Sequence, residues 1–78
     1  MPKWEYKIVE CIHFLEDWYP AFENGIEIPD WKSGGNAGVY ANRLGDEGWE
    51  LVNFCASAAA THGDYREFVY LAFKRPKP

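Results

Sequence analysis

Apolar and polar side chains alternate from Trp4 to Ile12. Trp4, Tyr6, Ile8 and Ile12 fall on one side and Glu5, Lys7, Val9 and Cys11 on the other, with Glu10 the one break on the first side. A period of two predicts a half-buried strand. Residues 14–35 then lose periodicity and collect Pro20, Gly25, Pro29, Gly34 and Gly35. They read as a long ordered or semi-ordered excursion, because a plain linker would not carry Phe14, Trp18, Tyr19, Phe22 and Trp31. Loops longer than about 12 to 15 residues inside a compact domain are uncommon and often functional.

Periodicity returns at Asn36, whose side-chain oxygen suits a helix N-cap, with Ala37, Tyr40, Ala41 and Leu44 following on one helical face. About three turns are expected. Gly48 can take the left-handed conformation that closes a helix, and Gly45 is expected to let the last turn approach the sheet. Leu51 to Ala56 predicts a second strand. Phe68 to Phe73 predicts a third, apolar on both faces and stopped by Lys74, Arg75 and Pro76. A helical crossover makes the first two strands parallel, and a hairpin through Ala59 to Asp64 makes the third antiparallel to the second. The expected fold is α+β in one domain over 1–78: β-α-β-β, a three-stranded sheet of order 1-3-2, one helix on one face and a long aromatic loop before that helix. A doubly apolar strand wants cover on both sides. The second face then needs the aromatic excursion, a second subunit, or both.

Three stretches carry a family resemblance: Trp4-Glu5-Tyr6-Lys7, then Leu44-Gly45-x-Glu47-Gly48-Trp49-Glu50-Leu51-Val52, and finally Phe73-Lys74-Arg75-Pro76. Together they resemble the domain-of-unknown-function 4177 family of small bacterial and phage proteins. The resemblance implies a compact strand-helix-strand-strand domain and brings no reaction, cofactor or site with it. The chain departs from that compact form in its long aromatic and acidic segment before the helix, where a specialised role is to be sought.

With 78 residues, the chain buries roughly 60% of the surface its unfolded form exposes, which makes stability marginal. The visible remedy is dense packing of four Trp, five Tyr and five Phe, and so many rings cannot all be hidden in a domain this small. Some must reach the surface, where they favour a homo-oligomer, dimer or higher, or a protein partner. A net charge of −4 argues against nucleic acid as the main partner. Two cysteines, Cys11 and Cys55, are too few for a disulfide framework and are expected to be reduced and buried. No apolar run reaches the ~18 residues of a membrane span, and the charged start lacks a signal-peptide core, so the cytoplasm is the expected setting.

Candidate chemistry concentrates in two places. Trp31, Lys32, Ser33, Gly34, Gly35 and Asn36 lead into the helix, where free amides could hold a small anion and the indole could stack on a base. The pattern matches neither phosphate-loop nor dinucleotide fingerprints, and a hinge is the commoner use of such glycines. His62, Asp64 and Arg66 cluster on the expected hairpin turn, where an exposed histidine could serve as base or ligand, although turn chemistry alone accounts for them. Trp18, Tyr19, Phe22 and Trp31, outside the regular elements and flanked by acids, resemble a partner-docking or ligand-closing segment, although folding back over the bare sheet face accounts for them as well. No metal site, cofactor or catalytic set is assigned, because His13 and Cys11 lack further ligands and neither His62 nor Cys55 has an orienting third group. The leading expectation is a non-enzymatic interaction module that self-associates and binds a protein partner. The alternative is a protein that binds or sequesters a nucleotide-like or anionic small molecule, and an enzyme using His62 or Cys55 comes third.

Overall fold

A computed structural model describes the backbone of residues 3–61 and 64–78, and the side chains of 3–56 and 68–78. Five strands form one antiparallel sheet: β1 (Trp4–Phe14), β2 (Asp17–Glu23), β3 (Ile26–Glu27), β4 (Glu50–Thr61) and β5 (Asp64–Pro76), in the spatial order β3-β2-β1-β5-β4. One helix, α1 (Ala37–Asp46), lies between β3 and β4 in the chain, preceded by a single 3-10 turn at Trp31–Ser33. The expected three-stranded sheet is therefore wrong. The long aromatic loop is in large part sheet, because residues 17–27 turn back along β1 and add two strands to its outer edge.

The reason is local. Leu15 at φ 60° permits a two-residue turn that sets Phe14 opposite Asp17. Asn24 at φ 50° and Gly25 at φ 81° then make the left-handed pair that a two-residue hairpin between β2 and β3 requires. Pro20 escapes the usual penalty in a strand because it sits at a bulge. The register steps from Glu10↔Phe22 to Cys11↔Pro20, leaving Ala21 as the extra residue. Asn24 also ties the hairpin back: its carboxamide oxygen accepts the Ile8 amide at 2.8 Å, and its own amide donates to the Ile8 carbonyl at 2.8 Å.

β5 pairs antiparallel with β1 on one side and β4 on the other, so β1 and β4 run parallel. Val9 and Cys11 of β1 and Leu71 and Phe73 of β5 form the floor of the core, under Tyr40 and Leu44 of α1 and under Trp49. Asn36 caps α1 by accepting the Val39 amide at 3.0 Å. The helix closes with Gly48 at φ 91°, its amide donating to the Gly45 carbonyl at 3.0 Å while the Trp49 amide reaches the Leu44 carbonyl at 2.9 Å. That bond pair is the Schellman arrangement, and the packing of Trp49 with Leu44 supplies its hydrophobic contact. Gly45 does not serve the close approach expected of it, since a Cβ there would meet nothing within 4 Å.

These two glycines therefore predict opposite responses. Gly45→Ala should stabilise the protein by about 0.5–1 kcal/mol by raising helix propensity, whereas Gly48→Ala should cost about 1–2 kcal/mol by forcing a Cβ into the left-handed region. Urea unfolding of both variants checks this. Destabilisation by Gly45→Ala would contradict the packing described here.

Candidate functional site

Strand alternation gives the sheet two different faces. Alternating with the pairs of the core face, Lys7↔Phe73, Val9↔Leu71 and Cys11↔Val69, are the pairs Tyr6↔Lys74, Ile8↔Ala72, Glu10↔Tyr70 and Ile12↔Phe68, whose side chains point away from α1. Phe22 and Tyr19 of β2 join them through Glu10↔Phe22 and Ile12↔Tyr19. No layer of the described chain covers the middle of this face. Tyr6 is 59% exposed on the part of β1 that β2 does not reach, and Ile8, beside the Asn24 turn, is 45% exposed. The charges among these positions are Glu10 and Lys74, and the Lys74 ammonium sits 4.4 Å above the Trp4 ring rather than standing free.

Among the described residues, one corner of the face has a wall. The 3-10 turn brings Trp31 edge-on to Phe14 at 5.9 Å between ring centroids, and Phe14 meets Tyr19 in the same way at 6.0 Å. Ile12, Phe14, Phe22, Glu27, Asp30, Trp31, Lys32 and Ser33 line an open depression of about 720 Å³ there. The Lys32 ammonium lies 5.1 Å from the Phe14 ring and 5.5 Å from the Trp31 ring, so the chain's own cation rests against the aromatic wall.

The sequence-derived candidates are divided among different places. Trp31 and Ser33 line the depression, and Tyr19 reaches it through Phe14. Trp18 lies on the opposite face, packed against the core with its ring 5.1 Å from His13. Gly34 and Gly35 form the exposed approach to α1. A Cβ at Gly35 would come within 2.6 Å of the Val39 side chain, so the glycine there serves the chain's own packing.

Asn36 has both ends of its carboxamide engaged, accepting from Val39 and donating to the Asp17 carboxylate at 2.8 Å. Asp17 thereby puts a negative charge close to the positive end of α1, the preference an external anion would have met. The Asn36 hydrogen bond, followed by the one from the Trp18 amide, holds the Asp17 carboxyl below its ordinary value of 3.8. His62 lies outside the described residues. Asp64 and Arg66 occupy β5 opposite Thr61 and Ala59, beyond the last β1 pairing at Phe68.

Sequence reasoning left Ile12, Phe14, Glu27 and Asp30 out of the site, and it named Lys32 and Phe22 in two separate candidate segments. Asn24-Gly25 is a strong hairpin cue that could have marked β2 and β3 and set Phe22 opposite Glu27, whereas the turn at Leu15 that lays β2 beside β1 and puts Phe22 and Phe14 on one face carries no such signal. Both cysteines are free thiols, as expected, but only one of them is buried. Cys11 is buried, and burial followed by the neighbouring Glu10 charge pushes its thiol up to about 11, whereas Cys55 is exposed on β4. Among the described residues no three His, Cys, Asp or Glu side chains converge as a metal site would require, and no helix is long and apolar enough to cross a membrane.

A carboxyl with a depressed value in the folded state stabilises the fold above its unfolded value, and that contribution fades as pH falls through the folded value. The Asp17 link to Asn36 should follow that course. An NMR titration of the Asp17 carboxyl carbon should place its midpoint below 3.8, and Asn36→Ala should raise it. An unchanged midpoint in Asn36→Ala would remove the link from the description of the helix N-terminus.

No protein-family model matches the chain, and no curated protein or solved structure matches it either.

Proposed function

We propose that this chain is a non-enzymatic interaction module that self-associates and docks a protein partner through the sheet face opposite α1. The observation that carries the reading is the exposure of Tyr6 and Ile8 on β1, on a face that continues through Ile12, Phe14, Phe22, Phe68 and Tyr70 with no layer of the described chain over its middle. Monomeric proteins rarely leave a contiguous apolar patch of this kind in water, and aromatic residues depleted of charge are the composition of interface centres. Membership of the 4177 family and a cytoplasmic setting belong to the same proposal. They are supported by the motif residues and by the free thiols of Cys11 and Cys55.

A second reading is favoured by the depression at Trp31: binding of a small aromatic molecule that stacks on the indole. Two carboxylates, Glu27 and Asp30, against one ammonium, Lys32, make the wall more hospitable to a neutral or cationic ring than to a phosphate.

Light scattering coupled to size-exclusion chromatography tests the first reading. Ile8→Lys, which places a charge on the face at a half-exposed position, should lower the average mass about twofold while leaving the melting temperature within a few degrees. A wild-type chain that stays monomeric at high concentration would overturn self-association. For the second reading, adenosine titrated into amide spectra should shift the Trp31 indole N–H ahead of those of Trp4, Trp18 and Trp49. Absence of that selective shift removes the aromatic ligand.

A further inference from the structure

The two edges of the sheet are not alike. On one side the edge is stepped: β3 is two residues long and covers only Phe22 and Glu23 of β2, and the stretches left outside it carry Asp17 and Pro20 on β2 and Glu5 and Lys7 on β1, so that edge is short-stranded and charged. On the other side β4 runs for twelve residues and is the last strand in the sheet, so its outer row of backbone N–H and C=O groups has no strand partner among the described residues. From Leu51 to Thr61 β4 contains no Asp, Glu, Lys, Arg or Pro, the residues by which proteins usually make an edge unfit for pairing. Every residue from Leu51 to Ala56 is exposed, with Phe54 at 67%.

The contrast within one hairpin sharpens the point. β4 and β5 both extend beyond the end of β1, since β1 pairs with β5 no further than Phe68. The overhanging part of β5, Asp64 to Glu67, also has an edge free of β1, but it carries Asp64, Arg66 and Glu67 within four residues. Its counterpart on β4, Ala58 to Thr61, carries no charge at all. One edge of the overhang is protected and the other is not.

We propose that β4 of one copy pairs antiparallel with β4 of a second copy across a two-fold axis, joining the two sheets into one continuous sheet of twice the width. A second copy is the occupant argued for because an uncharged antiparallel edge is complementary to itself about such an axis, and every copy brings an identical one. The sheet's own geometry limits the register. Directly opposed residues must share a face, so beyond the Leu51/Asn53 bulge the axis falls on a residue and not between two. Centring the overlap then leaves Cys55, Ala56 or Ser57 on the axis. The nine residues Asn53 to Thr61, which the bulge does not interrupt, offer about eight or ten backbone hydrogen bonds if fully paired. A typical protein interface has about ten. This edge is a different surface from the open face of the preceding section, so either can fail alone.

Cysteine scanning reads the axis directly, because a residue on it lies opposite its own copy, about 4.5–5.5 Å away between Cα atoms, within disulfide reach. Three proteins are compared under diamide: the native chain with Cys55, and Cys55→Ser carrying either Ala56→Cys or Ser57→Cys. Buried Cys11 stays unreactive and serves as the internal control. One of the three should cross-link to a dimer with at least a tenfold preference in initial rate over Cys55→Ser alone. Cross-linking of none of them overturns the pairing.

A second arm needs no cross-link. Phe54→Lys alters an exposed side chain on the edge and should dissociate the edge-paired species, leaving any association through the open face intact. Ile8→Lys should do the reverse, and the double variant should be monomeric. If Phe54→Lys leaves the mass unchanged while Ile8→Lys lowers it, the edge proposal fails and the face proposal survives. The opposite pattern sinks the face and keeps the edge. Edge binding of a foreign strand without self-pairing, seen as a monomer whose Leu51 to Ala56 amides gain exchange protection only with an added peptide, would overturn the second copy as occupant.

Discussion

Trp49 is the ring around which the elements are held in place. The left-handed turn at Gly48 throws it off the end of α1 and down onto the sheet, where the Lys7 ammonium lies 4.7 Å from its ring and the Arg75 guanidinium 4.3 Å. Each cation is itself tied. Lys7 pairs with Glu23 of β2 at 3.4 Å, and Arg75 pairs with Glu5 of β1 while donating to the Glu47 carbonyl at 3.0 Å, at the negative end of the helix dipole. Glu23 also accepts the hydroxyl of Tyr40, whose phenol is held protonated by burial first and by that carboxylate second. β1, β2, β5 and α1 thus meet at one indole. Exposed ion pairs contribute ~0–1 kcal/mol each and cation–π contacts about 0.5–2 kcal/mol, so the arrangement matters more for geometry than for total stability.

That geometry settles which face of the sheet is dry. A ten-residue helix is about 15 Å long, whereas the molecule extends 48 Å along its longest axis. Anchored over Val9, Leu71 and Phe73, α1 has nothing left with which to cover the other side. The aromatic segment could have folded across that side. Instead it supplies partners to the backbone of β1, whose outer edge would otherwise stand unpaired, and only Trp31 turns back onto Phe14. Unmet backbone hydrogen bonds cost more than partly exposed rings, and the chain divides its resources accordingly.

Those choices also explain what could be read from the residues alone. α1 starts at the Asn36 cap and ends before Gly48 because cap signals are local and depend on a few adjacent residues. β1, β4 and β5 announce themselves by alternation or continuous apolar runs. β2 does not, because the bulge at Ala21 breaks its period and Pro20 argues against any strand. That is how a five-stranded sheet came to be expected as three strands and a loop. For the site, Trp31 and Ser33 are sequence neighbours and legible as such, whereas Phe14 and Phe22 come together only through a pairing register that no short window contains. Trp18 and Tyr19, adjacent in the chain and expected to act together, separate to opposite faces as neighbours on any strand must.

The bare face and the bare edge are unsatisfied in different currencies, and the difference has a structural consequence. Burial of Ile8 and Tyr6 is non-directional and can be met by many partners, whereas the outer backbone of β4 asks for another strand at a set spacing and orientation. A two-fold axis that joins β4 to its copy must stand perpendicular to the sheet, which keeps both helices on one side. Pairing at the edge would therefore place two open faces side by side and enlarge the apolar surface in place of hiding it. The edge cannot substitute for the face: the more completely β4 is satisfied, the stronger the drive to bring a further layer over Tyr6, Ile8 and Phe14.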